Sequence, residues 1–544
     1  MSCEYKQIAG GPLMAVDDLG RVTPVRADGL SSPRENRQVG MFYFLWLGTD
    51  GADHPPYDVS KIVAEDPQAG YHPDSPLWGG VGRYHHWGEP FYGYYHSNDE
   101  WVVRRHMKLL MQADIDFLFF DTTNALIYEN NAKLVMRVLQ EYHDEGWKIP
   151  KVMFYTNTAS GKTVEQIYKT IYLPEYCKDT WFYFEGKPLI IAIEEECSPE
   201  ARAFFNIKMS QWPNEPDKQG GWPWMDFTRP QRVFENLQGE EEVINVSVAQ
   251  HPQLRFGDSV LYGEKGNCGR GFHNGVNDPD PDAYKKGYNF AEQFDRAIET
   301  DPPVVLVTGW NEWIAGYWEG IPERPVMFVD CANPEYSRDI EMMRGGYFDN
   351  YFMQLVQYVR RYKGVEDTPT YGVGQPAVYE NTSDGDFERH AKGYACVYDN
   401  HTQRNAIVRT TVWHDTETLH FEITAKAPVT AYDGTGTWMR VYLQTGKKAG
   451  YDLILNHTPT SDGTTTVADA NGQTAVRTTY RIEGNRLLLQ MPLDLVTTHA
   501  EDGVNTLWFK VADSREPITS TEDFYDHGDV APLGRLNYVY TFTV

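Results

Sequence analysis

Cysteine is scarce in this chain. Its 544 residues hold six, at Cys3, Cys177, Cys197, Cys268, Cys331 and Cys396, and no two stand as a CxxC pair. Such scatter supports neither a disulfide framework nor a zinc cluster. No apolar run is long enough to form a membrane-spanning helix, so membrane insertion is not expected. The opening MSCEYKQIAGGPLM lacks the apolar core of a signal peptide. The protein is therefore expected either to stay in the cytoplasm or to begin after a removed signal. Basic residues are also few. Lys and Arg number 49 against 77 Asp and Glu, a net charge of -28, which disfavours nucleic acid and anionic membrane as partners. A phosphate-cradling loop is missing too. SGKT (Ser160 to Thr163) follows an apolar run, but Thr156 occupies the place of the required first glycine.

Aromatic residues, by contrast, make up 14% of the chain, with 15 Trp and 35 Tyr. Flat rings that stack on CH faces, interleaved with acids and amides that bond hydroxyls, are the usual lining of a glycan site. A carbohydrate is the expected partner, with no cofactor and no metal. His85, His86 and His96 sit among tyrosines without helical ligand spacing.

After a polar lead-in over residues 1–38, apolar runs alternate with helical periodicity. The runs begin at Val39–Gly48, continue with IDFLFFDTTN ending at Asn124, Lys151–Asn157, Pro188–Glu196, Trp222–Phe227 and Val243–Gln250, and end with Val304–Val307 and Pro325–Asp330. Eight such units predict a (β/α)8 TIM-type barrel over 39–362. The closing helix repeats Phe348, Tyr351, Phe352, Leu355, Val356, Val359 and Tyr362 on one face. Residues 363–376, rich in Gly, Pro and Thr, read as a linker. From 377 to 544 short alternating runs separated by turn signals predict an antiparallel β-sandwich.

The stretch VVLVTGWNEWIAGYWEG, Val304 to Gly320, sets an acid between indoles just past a buried strand, where barrel enzymes carry their reactive groups. Hydrolysis of a glycosidic bond commonly needs two carboxyl groups. Glu312 is the first candidate, and Glu194, Glu196 and Glu319 are candidates for its partner. Glu194 and Glu196 share a strand face with Ile190 and Ala192, and in many retaining barrels the acid/base follows strand four and the nucleophile strand seven. Trp46, Tyr94, His96, Asp121, Asn124, Asn157, His273, Trp310, Asn311 and Trp313 are the candidate substrate contacts. The glycine-rich NCGRGFHNG, Asn267 to Gly275, is placed either to cover a pocket or to form a surface turn.

Through WNEW (Trp310 to Trp313), FYFLW (Phe42 to Trp46), the aromatic run Phe91 to His96, FDTTN (Phe120 to Asn124) and SRDIE (Ser337 to Glu341), the chain resembles the glycoside hydrolase family 99 and 71 group and its WbsX-like relatives. The resemblance covers residues 39–362 and implies a (β/α)8 glycosidase. In family 99 the segment reads E-W-x-E, with the first glutamate assisting the sugar's 2-hydroxyl and the second serving as acid/base. Glu312 matches the first; Ala315 stands at the second, so that role does not carry over. Thr411 to Ile423 and GDVAPLGRLNYVY resemble a family 9-type carbohydrate-binding module. The expected function is hydrolysis of a poly- or oligosaccharide; noncatalytic glycan binding and a role in surface-polysaccharide assembly are the alternatives.

Overall fold

The computed structural model describes residue 6 and residues 11–51, 54–497 and 503–544; Cys3 and part of the expected lead-in lie outside them. Eight strands, Gln38–Tyr43 (β1), Phe117–Thr122 (β2), Lys151–Thr156 (β3), Lys187–Ala192 (β4), Asn206–Gln211 (β5), Gly221–Pro223 (β6), Glu241–Ser247 (β7) and Val304–Thr308 (β8), run through one ten-stranded sheet, in which Tyr183–Phe184 and Val233–Glu235 pair antiparallel with β4 and β7. Each is parallel to its neighbour in sequence from β1 to β6, β7 is parallel to β8, and β8 returns to β1. The sheet is thus a nearly closed, barrel-like layer with one seam, between β6 and β7. Side chains bridge that seam. Lys208 on β5 and the Trp222 indole on β6 both donate to Glu242 on β7, each at 2.7 Å.

Aromatic rings fill the enclosed space. Phe42 of β1 stacks on Phe119 of β2 at 4.7 Å and meets Trp224, beyond β6, at 5.9 Å. A contact between elements that are not sheet neighbours must cross the interior. Because all eight strands run the same way, the loops after them emerge together at one mouth.

Two expected strands need correction. Pro325–Asp330 does not join the barrel: Arg324–Met327 pairs antiparallel with Trp318–Ile321 as a separate ribbon. The missing barrel strand is β5, whose sequence NIKMSQ lacks an apolar run. Its buried Lys208 is tolerated because Glu242 neutralises it across the seam. Val304–Thr308 is therefore the eighth barrel strand, not the seventh, which removes the basis for pairing Glu312 with an acid after strand four.

Twelve further strands make a second sheet, chiefly antiparallel, and four two-stranded ribbons stand apart from both sheets. Ile407–His414 and Thr418–Ala425 alternate buried and less buried positions, as strands with one covered face do. Thr474–Glu483 pairs with Thr464–Asp469 through its first half and with Arg486–Leu489 through its second, so one strand carries the sheet from one layer to the next. The segment read as a linker is tied down on both sides. Val365 N donates to Ser31 O at 3.0 Å, and Thr370–Tyr371 pairs with Thr541–Phe542.

Buried charges cross the boundary between the two sheets. Asp349, at the start of the closing helix Asn350–Lys363, accepts from Arg535 at 2.7 and 2.9 Å and from the Tyr525 hydroxyl at 2.7 Å. Asp384 pairs with Lys108 at 2.5 Å, and Arg389 with Asp99 at 2.7 Å. Removing one partner of such a pair strands the other in a low-dielectric interior. We expect Asp349→Asn to lower stability by about 3 kcal/mol or more, read as a fall in Tm by scanning calorimetry. Asp367→Asn, which breaks an exposed pair with Arg26, is expected to leave the Tm almost unmoved.

Candidate active site

The WNEW segment leaves β8 through Gly309, where a Cβ would meet the Phe44 ring at 2.9 Å. Glycine lets the two chain segments close. Three of the four WNEW residues then act as anchors. Trp310 N donates to Phe42 O at 2.8 Å, and its buried ring packs against His106 and Phe352. The Asn311 amide accepts from Phe44 N at 2.9 Å and donates to Phe44 O at 3.1 Å, imitating a strand partner beyond the end of the sheet. Trp313 stacks on Trp87 at 4.3 Å and donates to Glu341 at 2.5 Å. Glu341 also bonds the Tyr95 hydroxyl at 2.7 Å and His106 Nε2 at 2.9 Å.

Glu312 is the member left with a chemical group to offer. Its backbone N–H donates to Asp339 Oδ1 at 2.5 Å, while the other oxygen of Asp339 accepts from the Trp87 indole at 3.1 Å. The Glu312 side chain, 7% exposed, accepts from Arg338 Nη2 at 2.7 Å. The same nitrogen lies 3.4 Å from Asp330 Oδ1, and Asp330 is 37% exposed. Because both oxygens contact one nitrogen, they lie no more than about 6 Å apart, short of the roughly 6.5–9.5 Å that inverting glycosidases keep between their carboxyl groups.

Arg338 Nη1 donates to His251 Nδ1 at 3.1 Å, and its Nε–H has no protein acceptor. The guanidinium faces the Trp224 ring at 5.5 Å. Burial pushes the Glu312 carboxyl well above the usual range; Arg338 opposes the shift, and Asp330, Asp339 and Asp121 reinforce it. Burial, then Arg338, pushes His251 well below its ordinary value, so His251 is neutral and can accept that bond. Burial also raises Asp121, whose carboxylate accepts from Thr123 N at 3.0 Å. The cluster thus sets a proton-retaining acid beside a partly solvated carboxylate, with a fixed cation between them.

The other sequence-predicted residues divide. Trp46, at the mouth, meets Tyr84 edge-on at 5.1 Å, and its buried indole N–H lacks an acceptor. Asn157 accepts from Ser210 at 2.9 Å, and exposed Asn124 donates to the Tyr128 hydroxyl. Tyr94 donates to Asp58 at 2.8 Å, and the His96 ring stands edge-on to Tyr394 at 4.9 Å; both are buried beside the two-stranded ribbon Arg389–Gly393 with Cys396–Asn400. His273 bonds Asp278 at 3.0 Å on a separate ribbon. Glu194 and Glu196 lie exposed in a single 3-10 turn, where Glu196 accepts from Gly161 N at 3.1 Å. Glu319 is exposed on the ribbon. None of these three is among the acids acting most strongly on Glu312.

Arg338, Asp330 and His251 carry the cluster and are not singled out by the sequence; Trp224, which the sequence offers with Trp222 as a stacking platform or as barrel wall, faces the Arg338 guanidinium. A signal existed: SRDIE packs three charged residues that an amphipathic surface would not require, and Arg338, Asp339 and Glu341 are all buried. Asp330 was hidden by being counted as the end of a barrel strand. Asn267–Gly275 neither covers a pocket nor forms a plain turn. Arg270 is buried between Tyr347 and Tyr351 and donates to Asp339 O at 2.7 Å, supporting the site from below. Among the described residues one group has metal-ligand geometry, Asp523, Asp526 and His527; it lies in the second sheet region, and its members already bond one another.

Glu335, on the loop leading to Arg338, accepts from Gly271 N at 3.0 Å, and burial raises its carboxyl to about 7. A raised carboxyl favours the protonated fold. Its contribution to stability is complete below the unfolded value of about 4.5 and is lost as pH rises through 7. Glu335→Gln should therefore gain stability relative to wild type between those pH values, as urea unfolding at a series of pH values would show.

No family model matches the chain, and no curated protein matches it. Among solved structures, a GH99 endo-alpha-mannosidase from Bacteroides thetaiotaomicron is similar at 15% identity and a TM-score of 0.36, over 60% of this chain and 97% of that one. A glycoside hydrolase-like protein is similar at 12% identity and a TM-score of 0.32, over 62% and 96%. At these scores the likeness carries no weight for the chemistry of the site.

Proposed function

We propose that the chain is a glycoside hydrolase acting on a poly- or oligosaccharide, with Glu312 and Asp330 as its paired carboxyl groups. In this reading residues 39–362 form a catalytic (β/α)8 barrel, joined through 363–376 to an antiparallel β-sandwich, carbohydrate-binding-module-like, over 377–544. The observation that supports it is the shared grip of Glu312 and Asp330 on Arg338 at the barrel mouth. Burial favours the protonated form of Glu312, the form a general acid uses. Glu312 gives that proton to the glycosidic oxygen as the bond to the anomeric carbon breaks. Asp330, with Arg338 beside it, attacks that carbon to form a glycosyl ester. Glu312, now ionised, takes a proton from water, which displaces Asp330 and returns the sugar with its configuration retained. Asp121 and the unpaired indole N–H groups of Trp46 and Trp224 are placed to bond hydroxyls.

A panel of polysaccharides and aryl glycosides, followed by product analysis, identifies a substrate. Glu312→Gln and Asp330→Asn are then each expected to lose about 100-fold or more in kcat, and NMR should show the retained anomer forming first. As pH rises and Glu312 loses its proton, kcat/KM should fall. Near wild-type turnover in Glu312→Gln would sink the assignment. A second reading, glycan binding without cleavage, draws on the Arg338 contact that already occupies the Glu312 carboxyl and on Ala315; it is favoured if a polysaccharide binds and no product is released.

A further inference from the structure

The chain between the two carboxylates leaves the barrel and comes back. Ile314–Gly316 pairs with Tyr84–His86, Trp318–Ile321 folds back on Arg324–Met327, and the excursion ends at Asp330. Both feet of this ribbon therefore meet at Arg338. Its base is fixed. Tyr317 donates to Pro73 O at 3.2 Å, Arg324 to Glu264 at 2.7 Å, and the Tyr262 hydroxyl accepts from Val326 N at 2.8 Å.

The outer side is uncovered. Of the 15 tryptophans, Trp318 alone is exposed, at 50%, with Ile321 at 54% on the same ribbon. Tyr71, packed edge-on against Tyr262, is 49% exposed beside it. Single exposed apolar residues are ordinary. The Trp318 indole lies over Gly316, and, half exposed on a ribbon rooted in a pair of acids, it leaves aromatic surface open to a ligand. Trp318 is six residues from Glu312, so the two lie within about 20 Å, and Glu319 and Glu323 beside it can accept hydroxyl bonds.

We propose that the ribbon is a distal sugar subsite, in which Trp318 stacks on a ring of the same glycan whose bond is held at Glu312 and Asp330. The substrate is then a chain of several sugars, not a disaccharide. This rests on the catalytic reading above for its placement. A protein partner or a second copy of the chain fits less well, because the ribbon that carries Trp318 is anchored at both ends on the carboxylate pair and bears acids.

The test uses the full chain carrying Glu312→Gln, so that binding is read without cleavage. Its migration is followed in native gels containing mannan, xylan, β-glucan or galacturonan. At least one polymer is expected to retard it, Trp318→Ala in that background to weaken retardation at least tenfold, and Trp318→Phe to restore most of it. Equal retardation with and without Trp318, or no retardation by any polymer, overturns the subsite. So does a change in sedimentation mass in Trp318→Ala, which would make the ring a contact between copies. In the wild-type background, Trp318→Ala should lower the ratio of polymer to aryl-glycoside kcat/KM at least tenfold. If wild type releases no product from a polymer whose retardation depends on Trp318, the hydrolase reading falls while the subsite stands.

Discussion

A guanidinium that is almost wholly buried must be balanced by negative charge, and Arg338 imposes that condition on everything around it. Glu312, Asp330, Asp339 and Asp121 all act on it or on one another, with Arg270 as a second cation beside Asp339. Burial favours the protonated form of Glu312, while Asp330 stands 37% exposed. Division of labour between two acids follows from their unequal burial, before any substrate arrives.

Holding that balance requires a stiff surround. Asp339 grips the Glu312 backbone and the Trp87 indole at once, and Arg270 grips the carbonyl of Asp339 from the other side. Glu341 gathers Tyr95, His106 and Trp313 into one fully bonded knot. Bonded networks of this kind tolerate little displacement, because each lost contact leaves a buried polar group unpaired. Indoles and acids that look like a binding surface in the sequence are here the frame that aims one glutamate.

The two-stranded ribbon Arg389–Gly393 with Cys396–Asn400 is part of that frame. Arg389 pairs with Asp99, whose side chain caps the helix Glu100–Gln112, and the Tyr398 hydroxyl accepts from Tyr94 N at 2.7 Å. The Tyr394 hydroxyl accepts from Gly48 N at 2.9 Å, two residues beyond Trp46. Loops at the barrel mouth thus owe their position to residues far away in the chain.

Apolar runs such as Val304–Val307 and Phe117–Phe120 determined by themselves where most barrel strands fall, since a strand buried on both faces must be apolar throughout. The alternation in Thr418–Ala425 likewise announced a strand with one covered face. Glu312 was legible because an acid beside a buried strand needs a reason to be there. What the other residues do was decided only by folding. Lys208 could sit in a strand once Glu242 lay across the seam, and Arg338 and Asp330 reached Glu312 from distant positions in the sequence. Local pattern records the burial of a residue's own segment. Which charge neutralises which depends on through-space distance, and that is set when the sheet closes.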